Sequence, residues 1–153
     1  MTRTAARELA VQLSFRLAQN PEISAGEALD EFFDREYFDS LTQEEEISPE
    51  YPDELQMKYI RRLTEGTAER LSELDGFIER YSKGWKVSRI SKTALAVLRT
   101  AMYEILYMED IPNAAAINEA VELAKGYEEQ ETVSFINGIL GSFVRGELEQ
   151  SAE

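Results

Sequence analysis

An all-α fold of about six or seven helices is predicted by three features of the sequence. Apolar residues recur at spacings of three, four and seven over most of the chain, which is the period of one helix face. No segment alternates apolar and polar residues for long enough to form a strand. The four prolines fall where a helix begins or is interrupted. With 43% hydrophobic residues, the 153-residue chain has enough apolar side chains for a sizeable core.

Two helices are predicted in the first 40 residues. An apolar stripe along 6–17 favours a helix that ends at Asn20, because the residue before a proline resists the helical conformation. Ser24 is placed to cap a second helix, with Glu27 three residues further on. We expect this second helix to run to about Ser40.

An acidic loop and one long helix are predicted to follow. The loop, at about 41–52, is rich in glutamate and contains two prolines. The helix extends from Asp53 to a C-terminal cap at Gly84, and Gly66 and Gly76 are the expected positions for a bend.

Three further helices are predicted after Trp85. Ser91 or Thr93 begins a strongly apolar helix, which Pro112 interrupts. A second, alanine-rich helix ends at Gly126, and a third begins at about Thr132.

The net charge of −14, from 30 acidic and 16 basic side chains, argues against indiscriminate nucleic-acid binding. The charge is uneven, because no Asp or Glu lies between Tyr81 and Tyr103. The basic residues in that segment are Lys83, Lys86, Arg89, Lys92 and Arg99. Two interpretations remain open: a local site for an anionic partner, or cations scattered over solvated helix faces.

A non-enzymatic function is predicted by the residue types that are missing. The chain has no histidine and no cysteine, which excludes Ser-His and Cys-His nucleophiles and the usual zinc sites. Glu119 and Glu122 are better explained as a solvated helix face than as magnesium ligands. No signal peptide and no membrane-spanning run are recognised, so we expect a cytoplasmic protein.

Five motifs occur in an order that is typical of one protein family. The N-terminal one is A-R-E-L-A-V-Q from Ala6. The others are W-K-V-S-R-I from Trp85, A-V-L-R-T-A-M-Y-E-I-L-Y from Ala96, D-I-P-N-A-A-A-I-N-E-A-V-E-L-A-K-G-Y from Asp110 and F-I-N-G-I-L from Phe135. Together they resemble the NusB family over nearly the whole chain, outside the segment from about 20 to 53.

The resemblance implies a NusB-like fold of about seven helices in two packed helical bundles, 1–84 and 85–153. It also implies a transcription antitermination and termination factor without a cofactor. Such a factor binds boxA-type single-stranded RNA together with NusE, a small-subunit ribosomal protein. It loads NusE onto RNA polymerase, with other Nus factors, in ribosomal RNA operons. Some members form homodimers, so a homodimer is a further expectation. Certain ribosomal RNA methyltransferases also carry a NusB-like domain, but methyl transfer is not expected here, because no methyl-donor-binding domain is recognised in the sequence.

The family's motifs also imply site residues. The expected RNA-binding residues are Arg3, Arg7, Glu131, Ser134 and Phe135, and the expected NusE-binding residues are Phe15 and Ala94. Two alternatives remain open. Phe135 either stacks on a base or packs in the core with Ile139. Arg7 either contacts RNA or pairs with Glu8 or Glu27.

Several positions differ from the family's usual pattern. Thr4 and Ala5 interrupt the N-terminal arginine cluster, and Ser134 replaces a frequent lysine. Phe15 lacks the hydroxyl that many members have, and Ala94 replaces an acidic residue. These differences support an alternative function, a NusB-like helical protein-interaction module with weakened or lost RNA binding.

Two packing expectations concern large side chains in the second half. Trp85 is expected to be a buried anchor at the joint between the bundles. Arg99, on an apolar helix, is expected to be partly buried and to pair with Glu104 or Glu119.

Overall fold

The computed structural model describes residues 1–43 and 50–149, which contain eight α-helices and no strand. The helices are α1 (Arg3–Gln19), α2 (Ala25–Phe32), α3 (Arg35–Gln43), α4 (Glu54–Glu69), α5 (Leu71–Tyr81), α6 (Lys92–Tyr107), α7 (Asn113–Ala124) and α8 (Gln130–Phe143). A 3-10 turn, Val87–Arg89, precedes α6, and a π-helical turn, Val144–Glu149, follows α8. The all-α prediction is confirmed.

The chain divides into two compact units, Met1–Ala68 and Glu69–Glu153. This division falls before α5, whereas the sequence suggested one between residues 84 and 85. The physical reason is that α5 packs against α6 and α8, so it belongs to the second unit.

The core of the first unit forms where α1 packs on α2. The predicted stripe of α1 is buried at Ala6, Leu9, Ala10 and Leu13. As predicted, α1 ends before Asn20. Ser24 caps α2, its hydroxyl accepting a hydrogen bond of 3.1 Å from the Glu27 amide.

The expected single helix to Ser40 is instead two helices. The α2 helix ends at Phe32, and the Asp34 carboxylate accepts a hydrogen bond of 3.1 Å from the Tyr37 amide at the start of α3. This new N-terminal cap competes with continuing the first helix. The break allows an aromatic cluster to close the core of the unit. Its rings are those of Phe32, Phe33, Phe38 and Tyr51.

The predicted acidic loop at 41–52 is only partly a solvated loop. Its first residues, up to Gln43, continue α3, and residues 44–49 lie outside the described part of the chain. At its end Pro52 is buried, and the Tyr51 hydroxyl donates a hydrogen bond of 2.7 Å to the Phe33 carbonyl. The packing of this aromatic ring therefore anchors the segment that leads into α4.

The predicted long helix is interrupted at Arg70 rather than at a glycine. Arg70 has φ −107° and ψ 19°, and it separates α4 from α5. Gly66 and Gly76 both lie within helices, so neither marks the break.

The core of the second unit is built around α6, which contacts α5, α7 and α8. Nine consecutive residues from Ala94 to Met102 are buried. A helix that is buried on all sides is expected to be apolar all round, as α6 nearly is. Ser91 caps it, and its hydroxyl accepts a hydrogen bond of 3.1 Å from the Ala94 amide.

Arg99, like Glu104, is a buried charged side chain of α6, and it is 8% exposed. Its Nε and Nη2 donate bidentate hydrogen bonds of 2.7 and 2.9 Å to the Asp75 carboxylate on α5. The expectation that Glu104 or Glu119 would be its partner was therefore wrong. Glu104 lies five positions further along α6, about 140° around the helix, and so faces a different neighbour.

The π-helical turn after α8 is attached to the end of α5 by Glu147. The Tyr81 hydroxyl donates a short hydrogen bond to the Glu147 carboxylate, and Arg80 Nη1 lies 2.8 Å from the same oxygen. The hydrogen bond from Tyr81 and the charge of Arg80 lower the pKa of the Glu147 carboxyl. Gly146 allows this approach, since a Cβ at that position would overlap the Tyr81 ring.

The Asp75–Arg99 pair gives a stability prediction. Asp75→Ala leaves the buried Arg99 guanidinium without this partner, so the free energy of unfolding should fall by about 1.5–3 kcal/mol. Adding Arg99→Met should recover part of the loss, because no uncompensated buried charge remains. Urea unfolding measures the free energy of both variants.

The control is Asp30→Ala, which breaks the exposed pair with Arg61 and should cost under about 1 kcal/mol. An equal cost for Asp75→Ala and Asp30→Ala would contradict the prediction.

The Glu147 contacts give a pH prediction. Because the folded state lowers the pKa of this carboxyl, its contribution to stability is present above the unfolded pKa of about 4.3. It is lost as the pH falls through the folded pKa. Glu147→Gln should therefore lower the melting temperature at neutral pH, and the difference from wild type should shrink in acid. Scanning calorimetry at several pH values tests this, and a difference that is constant with pH would refute it.

Candidate nucleic-acid and partner interfaces

The residues expected to bind RNA fall into the two different units. Arg3 and Arg7 are in the first unit, whereas Glu131, Ser134 and Phe135 are in the second.

The N-terminal arginines of α1 gather around the Tyr59 ring of α4. The Arg3 guanidinium carbon lies 3.9 Å from the ring centroid, and Arg3 Nε donates a hydrogen bond of 2.8 Å to Gln56 Oε1. The corresponding distance for Arg7 is 5.7 Å. Tyr59 is 4% exposed, so its ring is a fixed platform that orients the first turn of α1.

The two arginines differ in their access to solvent. Arg3 is half-buried, while Arg7 is 6% exposed. Nearby, the N-terminal amine pairs with the Glu50 carboxylate, and this hydrogen bond raises the pKa of the amine. Arg3 is therefore the better placed of the two for an external phosphate, and Arg7 contributes to packing over Tyr59.

The second unit has a cleft between the turn before α6 and the start of α8, in the region of the predicted site. We call it the Trp85 cleft, and its volume is about 270 Å³. It is lined by Trp85, Arg89, Ile90, Ser91, Glu131, Thr132 and Phe135. Two of the residues expected to bind RNA, Glu131 and Phe135, thus share one cleft.

Trp85 is not the buried anchor that the sequence suggested, because it is 56% exposed. The chain turns sharply after α5, with positive φ angles of 54° at Lys83 and 92° at Gly84. This turn directs Trp85 to the surface, where its ring lies 6.0 Å from that of Phe135 at an interplanar angle of 60°. The indole is therefore held by an edge contact and not by the core.

The position of Phe135 agrees in part with each of its two interpretations, base stacking and core packing. It is half-buried, and Ile139, one turn further along α8, is 3% exposed and belongs to the core. The Phe135 ring contacts Trp85 and borders the open cleft. The Phe135 ring is thus partly packed and partly open to the cleft.

Ser134 lies on a different surface from Glu131 and Phe135. It lines a groove of about 430 Å³ between α7 and α8. The other residues of this groove are Ala114, Ile117, Asn118, Val121, Val133 and Asn137. Neighbouring positions on α8 face different directions, so the three predicted residues do not form one surface.

The two residues expected to contact NusE differ in exposure. Phe15 on α1 is 37% exposed, whereas Ala94 on α6 is fully buried. The Ala94 methyl group has no surface to offer a partner. Phe15 is therefore the accessible one of this pair.

Sequence reasoning missed Trp85 and Arg89 as members of the cleft. The signal was present in the acid-free basic segment that surrounds both residues. Trp85 was expected to be buried, and a single tryptophan in a short motif does not reveal which way its ring points.

A metal cluster and a membrane-spanning helix are both absent from the described ranges 1–43 and 50–149. No group of three or more acidic side chains there lies close enough together to hold a metal ion. None of the described helices is both long and apolar enough to cross a bilayer.

Comparisons with known proteins identify the family. The sequence model of the NusB family matches residues 4–145. The transcription antitermination protein NusB of Acetivibrio thermocellus is 42% identical over 148 residues, which cover 97% of this chain and 92% of that protein. The structure of T. maritima NusB superposes with a TM-score of 0.77 at 28% identity, covering 99% of this chain and 96% of that one.

A more distant structure shares the fold. It is a crystal structure of the antitermination factors NusB and NusE in complex with dsRNA, matched with a TM-score of 0.73 at 17% identity. The match covers 94% of this chain and 96% of that one. A family match over nearly the whole chain and a relative 42% identical lead to one conclusion: this chain belongs to the NusB family.

Proposed function

We propose that this protein binds boxA-type single-stranded RNA together with NusE in the cytoplasm. In this function it loads NusE onto RNA polymerase, with other Nus factors, in ribosomal RNA operons. The Trp85 cleft carries the proposal, because a partly exposed phenylalanine ring, an exposed tryptophan and an arginine meet there.

Family membership sets the class of function. NusB-family proteins are transcription antitermination factors that bind RNA, and they are not enzymes. A structurally similar chain has been crystallised with NusE and dsRNA, which supports RNA and NusE as partners of this protein.

The cleft has the chemistry that single-stranded RNA requires. Aromatic rings stack on unpaired bases, and cations neutralise the phosphates that connect them. Phe135 supplies a partly exposed ring and Arg89 a guanidinium that can bind a phosphate through two N–H groups. In the first unit, Arg3 supplies a second oriented cation, because Tyr59 and Gln56 fix its guanidinium.

A second candidate function is a helical protein-interaction module with weakened RNA binding. Two observations favour it: Arg7 is buried and Ser134 lies outside the Trp85 cleft. Both reduce the number of predicted residues that can grip one RNA strand.

An RNA titration separates the two functions. We expect boxA-type RNA to bind, more tightly with NusE present, and the affinity to fall as salt rises. Phe135→Ala should weaken binding about 5- to 150-fold through loss of stacking. Arg3→Ala should reduce the magnitude of the negative slope of log K against log salt by about 0.7, because one phosphate contact is lost. Anisotropy of labelled RNA at two salt concentrations measures both effects.

The control for this titration is Tyr127→Ala, which removes an aromatic ring that is 46% exposed but outside the Trp85 cleft. Its affinity should equal that of wild type. Thermal melting of each variant shows whether the fold is intact. Absence of RNA binding at low salt, even with NusE, would rule out the adaptor function and favour the interaction module.

Phe15 gives a test of the protein partner. Phe15→Ala should weaken NusE binding about fivefold or more, as expected for an aromatic residue at an interface centre. Calorimetry without RNA measures this, and Leu55→Ala, which is 65% exposed on α4, is the control. Equal affinity for wild type and Phe15→Ala would exclude Phe15 from the interface. Sedimentation of the free protein would reveal a homodimer, the other state implied for the family.

A further inference from the structure

We infer that Trp85 is a second base-stacking residue, and that the Trp85 cleft holds one unpaired nucleotide of the bound RNA with its phosphates on Lys86 and Arg89. This inference rests on the proposed RNA binding and adds a contact that the predicted site residues do not include.

The orientation of the indole leaves room for a base. Trp85 touches Phe135 at a steep angle of 60°, so the edge contact does not cover the indole by parallel stacking. More than half of the side chain, 56%, is exposed, and it lies at the rim of a cleft instead of on a convex surface. Base stacking is tolerant of sequence because every base has a π face.

The backbone on both sides of Trp85 is fixed before any ligand binds. The Ser82 hydroxyl, which is buried, donates a hydrogen bond of 2.6 Å to the Trp85 carbonyl. The Trp85 amide donates one of 3.3 Å back to the Ser82 carbonyl. Further on, Ile90 is 8% exposed and anchors the 3-10 turn. A stacking platform held in this way loses little conformational entropy on binding.

The side of the cleft formed by the start of α8 is fixed as well. The Ser91 hydroxyl donates a hydrogen bond of 2.5 Å to the Glu128 carboxylate, which joins the start of α6 to the segment before α8. The cleft therefore lies between two braced segments of the second unit.

The charges around the cleft favour an anionic strand on one side. Lys83, Lys86 and Arg89 are exposed, and none of them forms an ion pair with a residue in 1–43 or 50–149. In a chain of net charge −14, they lie in a segment without any acidic residue. Glu131 lines the cleft from α8. Phosphates are therefore expected on the Lys86–Arg89 side, with the base inserted between the turn and α8.

The size of the cleft limits its occupant. Its volume of about 270 Å³ is just below the about 300–1,000 Å³ of drug-sized ligand sites. A single flat base fits this description better than a helix of a partner protein, which would need a long apolar groove.

Tryptophan fluorescence tests the inference directly, since Trp85 is the only tryptophan of the chain. BoxA-type RNA is titrated against the protein with NusE present, and the same titration of Trp85→Phe subtracts the emission of NusE. We expect Trp85 emission to be quenched with the same midpoint as the anisotropy of labelled RNA. Trp85→Ala should bind RNA about 5- to 150-fold more weakly, and Trp85→Phe should retain most of the affinity.

The phosphate contacts are tested by charge removal. Lys86→Ala and Arg89→Ala should each reduce the magnitude of the negative slope of log K against log salt by about 0.7. Lys125→Ala is the matched control, because it removes an exposed lysine that pairs with Glu122 on α7. Its slope should equal that of wild type.

The outcomes distinguish this inference from the proposed function. RNA binding without quenching, together with full affinity of Trp85→Ala, would overturn the inference and leave the proposed function intact. Quenching by NusE alone, before RNA is added, would show that a protein occupies the cleft and would also overturn it. Failure of every RNA titration would reject both.

Discussion

The bidentate contact between Arg99 and Asp75 sets the geometry on which the second unit depends. Arg99 is a charged side chain in the buried part of α6, and its two hydrogen bonds from one planar group fix both the distance and the rotation of α5 against α6. The turn that follows α5 carries Trp85, and the helix that follows the turn is α6. The position of the cleft is therefore a consequence of how these two helices are locked together.

Much of the fold could be predicted because nearby side chains, such as capping serines and prolines, determine where many helices begin and end. Ser24 and Ser91 act as caps at the expected positions, and α1 ends before Asn20. Two of the errors involve contacts between residues that are far apart in sequence. The helix break before α3 allows the aromatic cluster with Tyr51 to form, and the partner of Arg99 lies 24 positions away on another helix.

The candidate site was harder to predict than the fold. The family motifs named Glu131 and Phe135, which do share a cleft, and also Ser134, which faces a separate groove. Adjacent positions on a helix differ by about 100° in direction, so a motif that is contiguous in sequence need not form one surface. Exposure of Trp85 depends on the backbone of the preceding turn, and the apolar pattern carries no information about that backbone.

In that turn, backbone stability and positive charge make opposite demands on residue 83. Lys83 adopts φ 54°, a left-handed conformation that costs about 1–2 kcal/mol for a residue with a Cβ and almost nothing for glycine. A glycine there would relax the backbone and remove a cation from the acid-free segment that contains Trp85. Stability and charge therefore pull in opposite directions at residue 83. Selection for stability alone would favour glycine at this position and would reduce the positive potential near Trp85. The lysine at residue 83 therefore keeps a charge that can attract an anionic ligand, at a cost in folding free energy.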